Sequence, residues 1–215
     1  LAFGLESQGM ENSEIRGRVA EMASFFGIQT WFHMDVTQLS GGQKQLLNLA
    51  SIMAMQPEVL ILDEPTSQLD PIAASDFLNT VRKINLELGT TVIITEHRLE
   101  DIFPYADRAI VMDGGKVIAD GTPAAVGEAL KAGGHRMFAS MPTAMQIYAA
   151  VDNDLPCPVT VREGRDWLDA YSKLQPLKEV PNQTIPAPAS DIPAAKLEVV
   201  WFRYEQDSPD ITKGL

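Results

Sequence analysis

Two short apolar runs, each leading to acidic or histidine side chains, limit the possible folds of this chain more than any other feature. Residues 59–62 read Val-Leu-Ile-Leu and are followed directly by Asp63 and Glu64. Residues 90–95 are rich in β-branched side chains and lead to His97. A continuous apolar run such as the first predicts a strand that is buried on both faces of a parallel sheet. The polar groups that follow are then expected at the carboxyl edge of that sheet, where α/β folds bind ligands.

Three amphipathic helices are predicted around these runs, because apolar residues recur at three- and four-residue steps. They cover residues 13–26, 40–56 and 71–88, and Gly89 ends the last of them. Two further apolar runs, at residues 109–112 and 116–119, are separated by an Asp-Gly-Gly sequence that favours a tight hairpin turn. Strands and helices that alternate in this order predict the α/β class.

The charge balance and the single cysteine restrict the partners and the compartment. The 215 residues carry 17 basic and 29 acidic side chains, a formal net charge of −12. Such a surface repels the phosphates of nucleic acids and anionic lipid headgroups, so we expect no direct contact with either. Cys157 has no second cysteine to pair with, which makes a reducing cytoplasm the simplest compartment. No apolar run approaches the ~18 residues needed to cross a bilayer, and the first residues resemble a cut end more than a signal peptide.

Residues 39–43 read Leu-Ser-Gly-Gly-Gln and predict a helix start that can hold a phosphate. Ser40 and Gln43 have the spacing of a capping box. Gly41 and Gly42 allow backbone N–H groups to approach a ligand closely, and the helix N-terminus adds partial positive charge. Taken alone, the same sequence is also compatible with an ordinary helix cap.

The residues after the two strands suggest phosphate chemistry. Asp63 offers a carboxylate to Mg²⁺, either directly or through water, while Glu64 is placed to polarise an attacking water molecule. His97 can donate a hydrogen bond to a γ-phosphate or to that water. Taken singly, the acidic pair is equally readable as a solvated turn and His97 as a loop histidine.

In this order, the motifs resemble those of the ATP-binding subunit of ABC transporters, over residues 36–126. Residues 39–43 match the signature motif, residues 59–64 the Walker B strand with its catalytic glutamate, and His97 the switch histidine. Residues 67–70 match the D-loop, which includes Ser67 and Asp70. The resemblance implies a P-loop-NTPase-like ABC nucleotide-binding domain, of which this chain holds part of the helical subdomain and the Walker B side of the parallel sheet.

A narrower resemblance concerns energy-coupling factor transporters, a group that includes cobalt-type importers. Residues 95–101 and 158–164, together with Gln68, are similar to their tandem ATPases, in which two nucleotide-binding domains lie on one chain. The resemblance implies that residues 1–134 are the C-terminal part of a first domain, residues 135–195 a helical and proline-rich linker, and residues 196–215 the first strand of a second domain. Tyr204 would stack on adenine in that second domain, although an ordinary strand tyrosine is an equal interpretation.

The resemblance also implies cofactors, partners and a location. ATP and Mg²⁺ would lie between two nucleotide-binding domains that close head to tail, and hydrolysis would drive integral membrane subunits at the cytoplasmic face of the membrane to import a vitamin or a transition-metal ion. The phosphate-binding pattern G-x-x-x-x-G-K-[ST] does not occur in residues 1–215, so both Walker A loops are expected outside them. We therefore expect these residues alone to lack ATPase activity.

Two other classes of function remain open at this stage. A soluble, non-transport ABC ATPase acting in DNA repair or translation would be expected to carry heptad insertions or basic stripes, and neither occurs here. A non-catalytic interaction module is the alternative suggested by the missing phosphate loop. A phosphate loop upstream of this segment would favour the enzyme, and its absence would favour a scaffold.

Overall fold

The computed structural model describes residues 1–175, 196, 198–203 and 210–214, which belong to two compact units, Leu1–Pro176 and Leu177–Leu215. The first unit contains eight α-helices and four strands among its described residues. The helices are α1 (Ala2–Ser7), α2 (Asn12–Phe25), α3 (Gly41–Met53), α4 (Pro71–Leu88), α5 (Leu99–Ile102), α6 (Pro123–Ala132), α7 (Thr143–Ala149) and α8 (Val161–Leu174). The strands are β1 (Val59–Asp63), β2 (Thr91–Thr95), β3 (Ala109–Asp113) and β4 (Lys116–Gly121). The predicted α/β class is confirmed.

The two predicted strands form a parallel pair that is joined through α4. Val59 lies opposite Thr91 at one end of the pair, and Asp63 lies opposite Thr95 at the other. Parallel strands need a long crossover between them, and α4 supplies it. The carboxyl ends of both strands therefore meet at one edge, as the sequence predicts.

Local signals in the sequence explain where α4 begins and ends. Asp70 is its N-cap, and Oδ1 of this residue accepts hydrogen bonds from the backbone N–H groups of Ile72 and Ala73, both at 3.0 Å. Pro71 occupies the first turn, where its missing N–H is not needed. Gly89 ends the helix with a left-handed φ of 69°. The three predicted helices are all present as α2, α3 and α4, with ends shifted by a few residues.

The first core lies between α1, α2, α3 and α4 and one face of the β1–β2 pair. Its members are aliphatic, aromatic and methionine side chains that the periodic spacing of the helices directs to one side. The largest fully buried ones are Leu5, Ile28, Met53 and Ile84. Leu60 contributes to this core from β1.

The prediction that the first apolar run is buried on both faces of the sheet is wrong. Leu60 is buried, but its neighbour Ile61 on the opposite face is 71% exposed, and Ile93 beside it on β2 is 53% exposed. Successive side chains of a strand point to opposite faces, and within the described part of the chain the helices cover one face only. A continuous apolar run therefore produced an alternating pattern of burial.

The β3–β4 hairpin confirms the predicted tight turn. The strands pair in antiparallel fashion, from Ala109 opposite Gly121 to Asp113 opposite Lys116. Gly114 and Gly115 connect them with φ values of 54° and 74°. Two successive positive φ angles match the right-handed twist of the flanking strands, which explains the glycine pair.

A second core lies under this hairpin and is formed with α6, α7 and α8. We call this cluster the second core; its buried members are Phe103, Val111, Ala119, Val126, Leu130, Met141, Met145, Tyr148, Cys157 and Trp167. Trp167 stacks on Tyr171 with ring centres 5.1 Å apart and meets Tyr148 edge to face at 6.1 Å. Residues 135–175, which the sequence analysis assigned to a linker, are thus packed into the first unit.

The second unit is described only in part. Phe202 and Thr212 form an isolated antiparallel bridge. Among the described residues of this unit, no strand is present at the position of the predicted one. Tyr204, the predicted adenine-stacking residue, lies outside the described residues. Across the described residues of both units, no helix is long and apolar enough to cross a membrane.

Candidate functional site

The carboxyl edge of the β1–β2 pair brings together the polar residues that follow both strands. We call Asp63, Glu64 and His97 at this position the site edge. Oγ1 of Thr95 donates a hydrogen bond of 2.5 Å to Oδ1 of Asp63, across the last pair of the ladder. This bond fixes the direction of the carboxylate and ties the ends of the two strands together.

Glu64 and His97 are in direct contact at this edge. Nε2 of the imidazole lies 3.0 Å from Oε1 of the carboxylate. A His97 tautomer with its proton on Nε2 can donate this hydrogen bond to the carboxylate. The side chain of Glu64 is 49% exposed and that of His97 is 83% exposed, so surrounding packing does little to hold them in this position.

The backbone of Glu64 has an uncommon conformation. Its φ is 42°, in the left-handed region that side-chain-bearing residues rarely occupy. The N–H of Glu64 donates to the carbonyl oxygen of Thr95 at 3.0 Å and also lies 3.1 Å from its Oγ1. These contacts hold a strained conformation, and strain of this kind concentrates at functional sites.

A third acidic residue, Glu96, which the sequence analysis did not single out, joins the two loops of the site edge. Oε1 of Glu96 accepts from the backbone N–H of Thr66 at 3.0 Å and from the hydroxyl of the same residue. Its Oε2 accepts from the backbone N–H of His97 at 3.1 Å. Thr66 is only 4% exposed. Thirty residues of sequence separate Glu96 from Thr66, so no local pattern could reveal this contact.

The start of α3 has the predicted capping box. Oγ of Ser40 accepts from the backbone N–H of Gln43 at 3.3 Å, and Oε1 of Gln43 accepts from the backbone N–H of Ser40 at 2.8 Å. The helix that follows has 13 residues, enough to give its N-terminus a partial positive charge. The cap thus preserves a helix start that can attract an anion.

The two glycines of this segment have different surroundings. A Cβ on Gly42 would lie 3.0 Å from Cβ of Ala73, so this glycine allows α3 to approach the start of α4. A Cβ on Gly41 would meet nothing within 4 Å. Gly41 therefore leaves open space beside the helix start, whereas Gly42 is required for packing within the chain.

Side chains and backbone groups connect the start of α3 to the site edge. Nε2 of Gln45 donates to the carbonyl oxygen of Pro65 at 3.1 Å, just after Glu64. The N–H of Ser67 donates to the carbonyl oxygen of Glu64 at 3.2 Å. Asp70 caps α4, the helix that meets Gly42 through Ala73. All predicted site residues except Tyr204 thus lie in one compact unit, and Gln45 is a further connection that the sequence analysis missed.

The donor set at the site edge suits a hard cation bound largely by other ligands. No group of three or more His, Cys, Asp or Glu side chains suitable for a metal occurs among the described residues. Mg²⁺ commonly takes one or two protein carboxylates and completes its shell with water and substrate phosphates. Asp63, whose carboxylate is exposed and oriented by Thr95, fits that limited role.

Comparison with known proteins shows what the chain is similar to. The family model described as ABC transporter matches residues 4–67. A putative ABC transporter ATP-binding protein of Bacillus cereus is 40% identical over 216 residues, which is 100% of this chain and 38% of that protein. A putative ABC transporter ATP-binding protein of Clostridium tetani is 37% identical, over 83% of this chain and 39% of that protein.

Two further matches are to proteins whose names give the type of transporter they belong to. The energy-coupling factor transporter ATP-binding protein EcfA1 of Caldanaerobacter subterraneus is 46% identical over 57% of this chain and 44% of that protein. The solved structure of cbiO1 from Clostridium perfringens, described as part of the ABC transporter complex cbiONQ, superposes with a TM-score of 0.53. It is 37% identical and is matched over 57% of this chain and 49% of that one.

The fold is therefore that of the ABC nucleotide-binding domain. In sequence, the chain is similar along its whole length to a putative ABC transporter ATP-binding protein. It spans about two fifths of the length of the curated relatives matched over most of the chain, at 38% and 39%.

Proposed function

We propose that the full-length protein containing this chain is an ATP-hydrolysing subunit that powers import through an energy-coupling-factor-type ABC transporter. The similarity to EcfA1 and to cbiO1 supports this choice among ABC proteins. The imported substrate in this proposal is a vitamin or a transition-metal ion, recognised by a separate membrane subunit. A tandem arrangement, with residues 196–215 opening a second nucleotide-binding domain, is part of the same proposal.

The observation that carries the proposal is the 3.0 Å contact between Glu64 and His97 beside Asp63. Glu64 orients the attacking water and accepts its proton, which is the work of a general base. Nε2 of His97 lies against Glu64 in the structure, and with ATP bound the same nitrogen would donate to the water or to the γ-phosphate as negative charge develops. Asp63 would hold Mg²⁺, which neutralises charge on the phosphates of bound ATP.

In this proposal the signature motif at residues 39–43 and the D-loop at residues 67–70 act on a second ATP. The start of α3, with Ser40, Gly41, Gly42 and Gln43, contributes its N-terminal charge and backbone N–H groups to the γ-phosphate held by a partner nucleotide-binding domain. Gly42 permits the close packing of α3 on α4, which places that helix start next to the D-loop. Ser67 and Asp70 lie in this D-loop at the boundary between the two domains, and Tyr204 stacks on adenine in the second one.

The assignment of Glu64 is tested by Glu64→Gln in the full-length protein. We expect ATP hydrolysis to fall about 100-fold or more, because an amide cannot accept the proton of the water. ATP binding is retained, so a closed, ATP-loaded state accumulates and is measured by nucleotide occlusion. Undiminished turnover would falsify the assignment.

Glu58→Gln is the matched control for that experiment. Glu58 directly precedes β1 at the opposite edge of the sheet and is exposed, so it undergoes the same change of charge away from the site edge. We expect wild-type hydrolysis from this variant. The same proposal expects residues 1–215 alone not to hydrolyse ATP, because no phosphate loop occurs among them. Co-purification of the full-length protein with integral membrane transport subunits tests the proposed role in import.

A further inference from the structure

The exposure of Glu64 and His97 raises the question of what keeps them 3.0 Å apart. Side chains that are 49% and 83% exposed are not confined by neighbours, and a hydrogen bond at the surface contributes little by itself. Their separation therefore depends on how firmly the two loops that carry them are attached to each other. The loop of Glu64 follows β1, and the loop of His97 follows β2.

Glu96 makes hydrogen bonds to both loops through one carboxylate. Oε1 accepts two bonds from Thr66, which lies two positions after Glu64, and Oε2 accepts one from the backbone N–H of His97. Thr66 is buried, so the bond on that side is shielded from water and anchored in the fold. Oε1 is bonded to the loop after β1, and Oε2 is bonded to the loop after β2. Together, the three hydrogen bonds fix the orientation of the carboxylate.

We propose that Glu96 is a positioning residue that holds His97 against Glu64 by joining the loop after β2 to Thr66 in the loop after β1. This inference rests on the proposed ATPase function and deepens it, since Glu96 itself does not touch the reacting atoms. A carboxylate is required because both of its oxygens accept. Glutamine at this position offers one oxygen and one NH₂ group, and the NH₂ group cannot accept from a backbone N–H. Glu96→Gln therefore retains one side of the connection and loses the other.

The kinetic test compares Glu96→Gln with Thr66→Val in the full-length protein. We expect Glu96→Gln to lower kcat for ATP hydrolysis about 10-fold with KM for ATP changed less than about 2-fold, because positioning of His97 acts on the chemical step. Thr66→Val removes the hydroxyl without a large change of shape and is expected to lower kcat about 3-fold or more. Thr66→Ser keeps the hydroxyl and is expected to retain kcat within about 2-fold.

The double variant tests whether the two residues act together. Glu96→Ala removes both carboxylate oxygens, so if Glu96 and Thr66 form one connection, adding Thr66→Val to Glu96→Ala lowers kcat no further. Losses that multiply would overturn the proposal, as would a Glu96→Gln variant with wild-type kcat. Should Glu96→Gln fail to fold, the contrast between Thr66→Val and Thr66→Ser decides the question, and equal kcat values for these two would reject the connection.

Glu100→Gln is the matched control on the same segment. Oε2 of Glu100 accepts from the backbone N–H of Thr143 at 2.7 Å and from its hydroxyl at 3.1 Å, so this glutamate also joins two elements. Its bonds reach the start of α7 and not the site edge. We expect wild-type kcat from this variant, and a loss equal to that of Glu96→Gln would show a general structural effect and overturn the specific role of Glu96.

A spectroscopic measurement separates failure of this inference from failure of the proposed function. With ¹⁵N-labelled histidine, the Nε2 nitrogen shift of His97, detected through the non-exchanging ring C–H protons, reports its hydrogen bond to Glu64, and Glu64→Gln supplies the reference for an altered bond. We expect Glu96→Gln to shift this resonance toward its position in Glu64→Gln. If the wild-type protein shows no ATPase activity, the proposed function fails, yet this resonance still decides on Glu96. An unchanged resonance in Glu96→Gln overturns the inference.

Discussion

The site edge and the second core, both within the first unit, are held together by different forces. At the site edge, Glu64 and His97 are exposed and their positions depend on hydrogen bonds between loops and on one strained backbone angle. In the second core, Met145 and Trp167 are buried among aromatic and aliphatic side chains from α6, α7 and α8. The site edge exposes polar groups and gains little stability from packing. The second core is stabilised by the burial of apolar side chains.

This difference predicts opposite responses to substitution. A side chain removed from the second core leaves a cavity in close-packed surroundings, which lowers the free energy of unfolding. A side chain removed from the site edge loses few packing contacts, because it is already in contact with water. Changes in the second core should therefore act on stability, and changes at the site edge should act on activity.

The largest effect is expected from Met145→Ala in the second core. Met145 is fully buried. Its side chain lies so close to Gly127 that a Cβ added there would be 3.1 Å from Cε of Met145. We expect the substitution to lower the free energy of local opening by about 2–5 kcal/mol. Native-state hydrogen exchange of backbone amides in α7 and β3, measured in the full-length protein, checks this value.

Ile147→Ala provides the control on the same helix. Ile147 is 41% exposed, so its truncation is expected to change the same amides by less than about 1 kcal/mol. Equal losses for the two variants would mean that burial is not what stabilises this region. A loss for Met145→Ala that spread equally to the amides of Thr66 and His97 would show that the two regions open as one unit, and the contrast drawn between them would not hold.

A smaller effect, of opposite sign, is expected at the site edge. Glu64 has a left-handed φ of 42°, a conformation that glycine adopts without strain. Glu64→Gly and Glu64→Ala both remove the contact with His97, but only the glycine also relieves the backbone. We expect the glycine variant to be more stable than the alanine variant by about 1 kcal/mol, although both lose ATPase activity.

Thermal unfolding of the two variants of the full-length protein measures this difference. A higher stability of Glu64→Gly than of Glu64→Ala would be direct evidence that a side chain at this position strains the backbone and lowers the free energy of unfolding. If the alanine variant proves the more stable one, the strain assigned to Glu64 is absent and the site edge resembles any other surface turn.

The same contrast explains which features were predictable from sequence. Caps, glycine stops and apolar periodicity are local, and they predicted α3, α4, both parallel strands and the β3–β4 hairpin. The positions of Asp63, Glu64 and His97 just after the two predicted parallel strands predicted that they would lie at one edge. The connection between Glu96 and Thr66 joins residues 30 positions apart, and the exposure of Ile61 depends on which face the helices cover. Neither feature leaves a local pattern, because both are set by tertiary contacts.

The effect that is smallest near neutral pH concerns the ionisation of the second core at high pH. Burial raises the pKa of the Cys157 thiol from an ordinary value of 9.0 to about 11, and the nearby Glu128 charge adds to this shift. Below pH 9 the thiol is protonated in both the folded and the unfolded state, so it has no influence on stability. Between about pH 9 and pH 11 the unfolded thiol loses its proton while the folded one keeps it. The unfolded state then binds fewer protons, and stability falls as the pH rises.

Cys157→Ser in the full-length protein isolates this contribution. Subtracting the pH dependence of the serine variant from that of the wild type should leave a decline in stability confined to that interval. At pH 8 the buried, protonated thiol should also react with a disulfide reagent far more slowly than an exposed cysteine, since the thiolate is the reactive form. Rapid modification that is absent from the serine variant would mean that water reaches the second core, and this region would then resemble the site edge in its access to solvent.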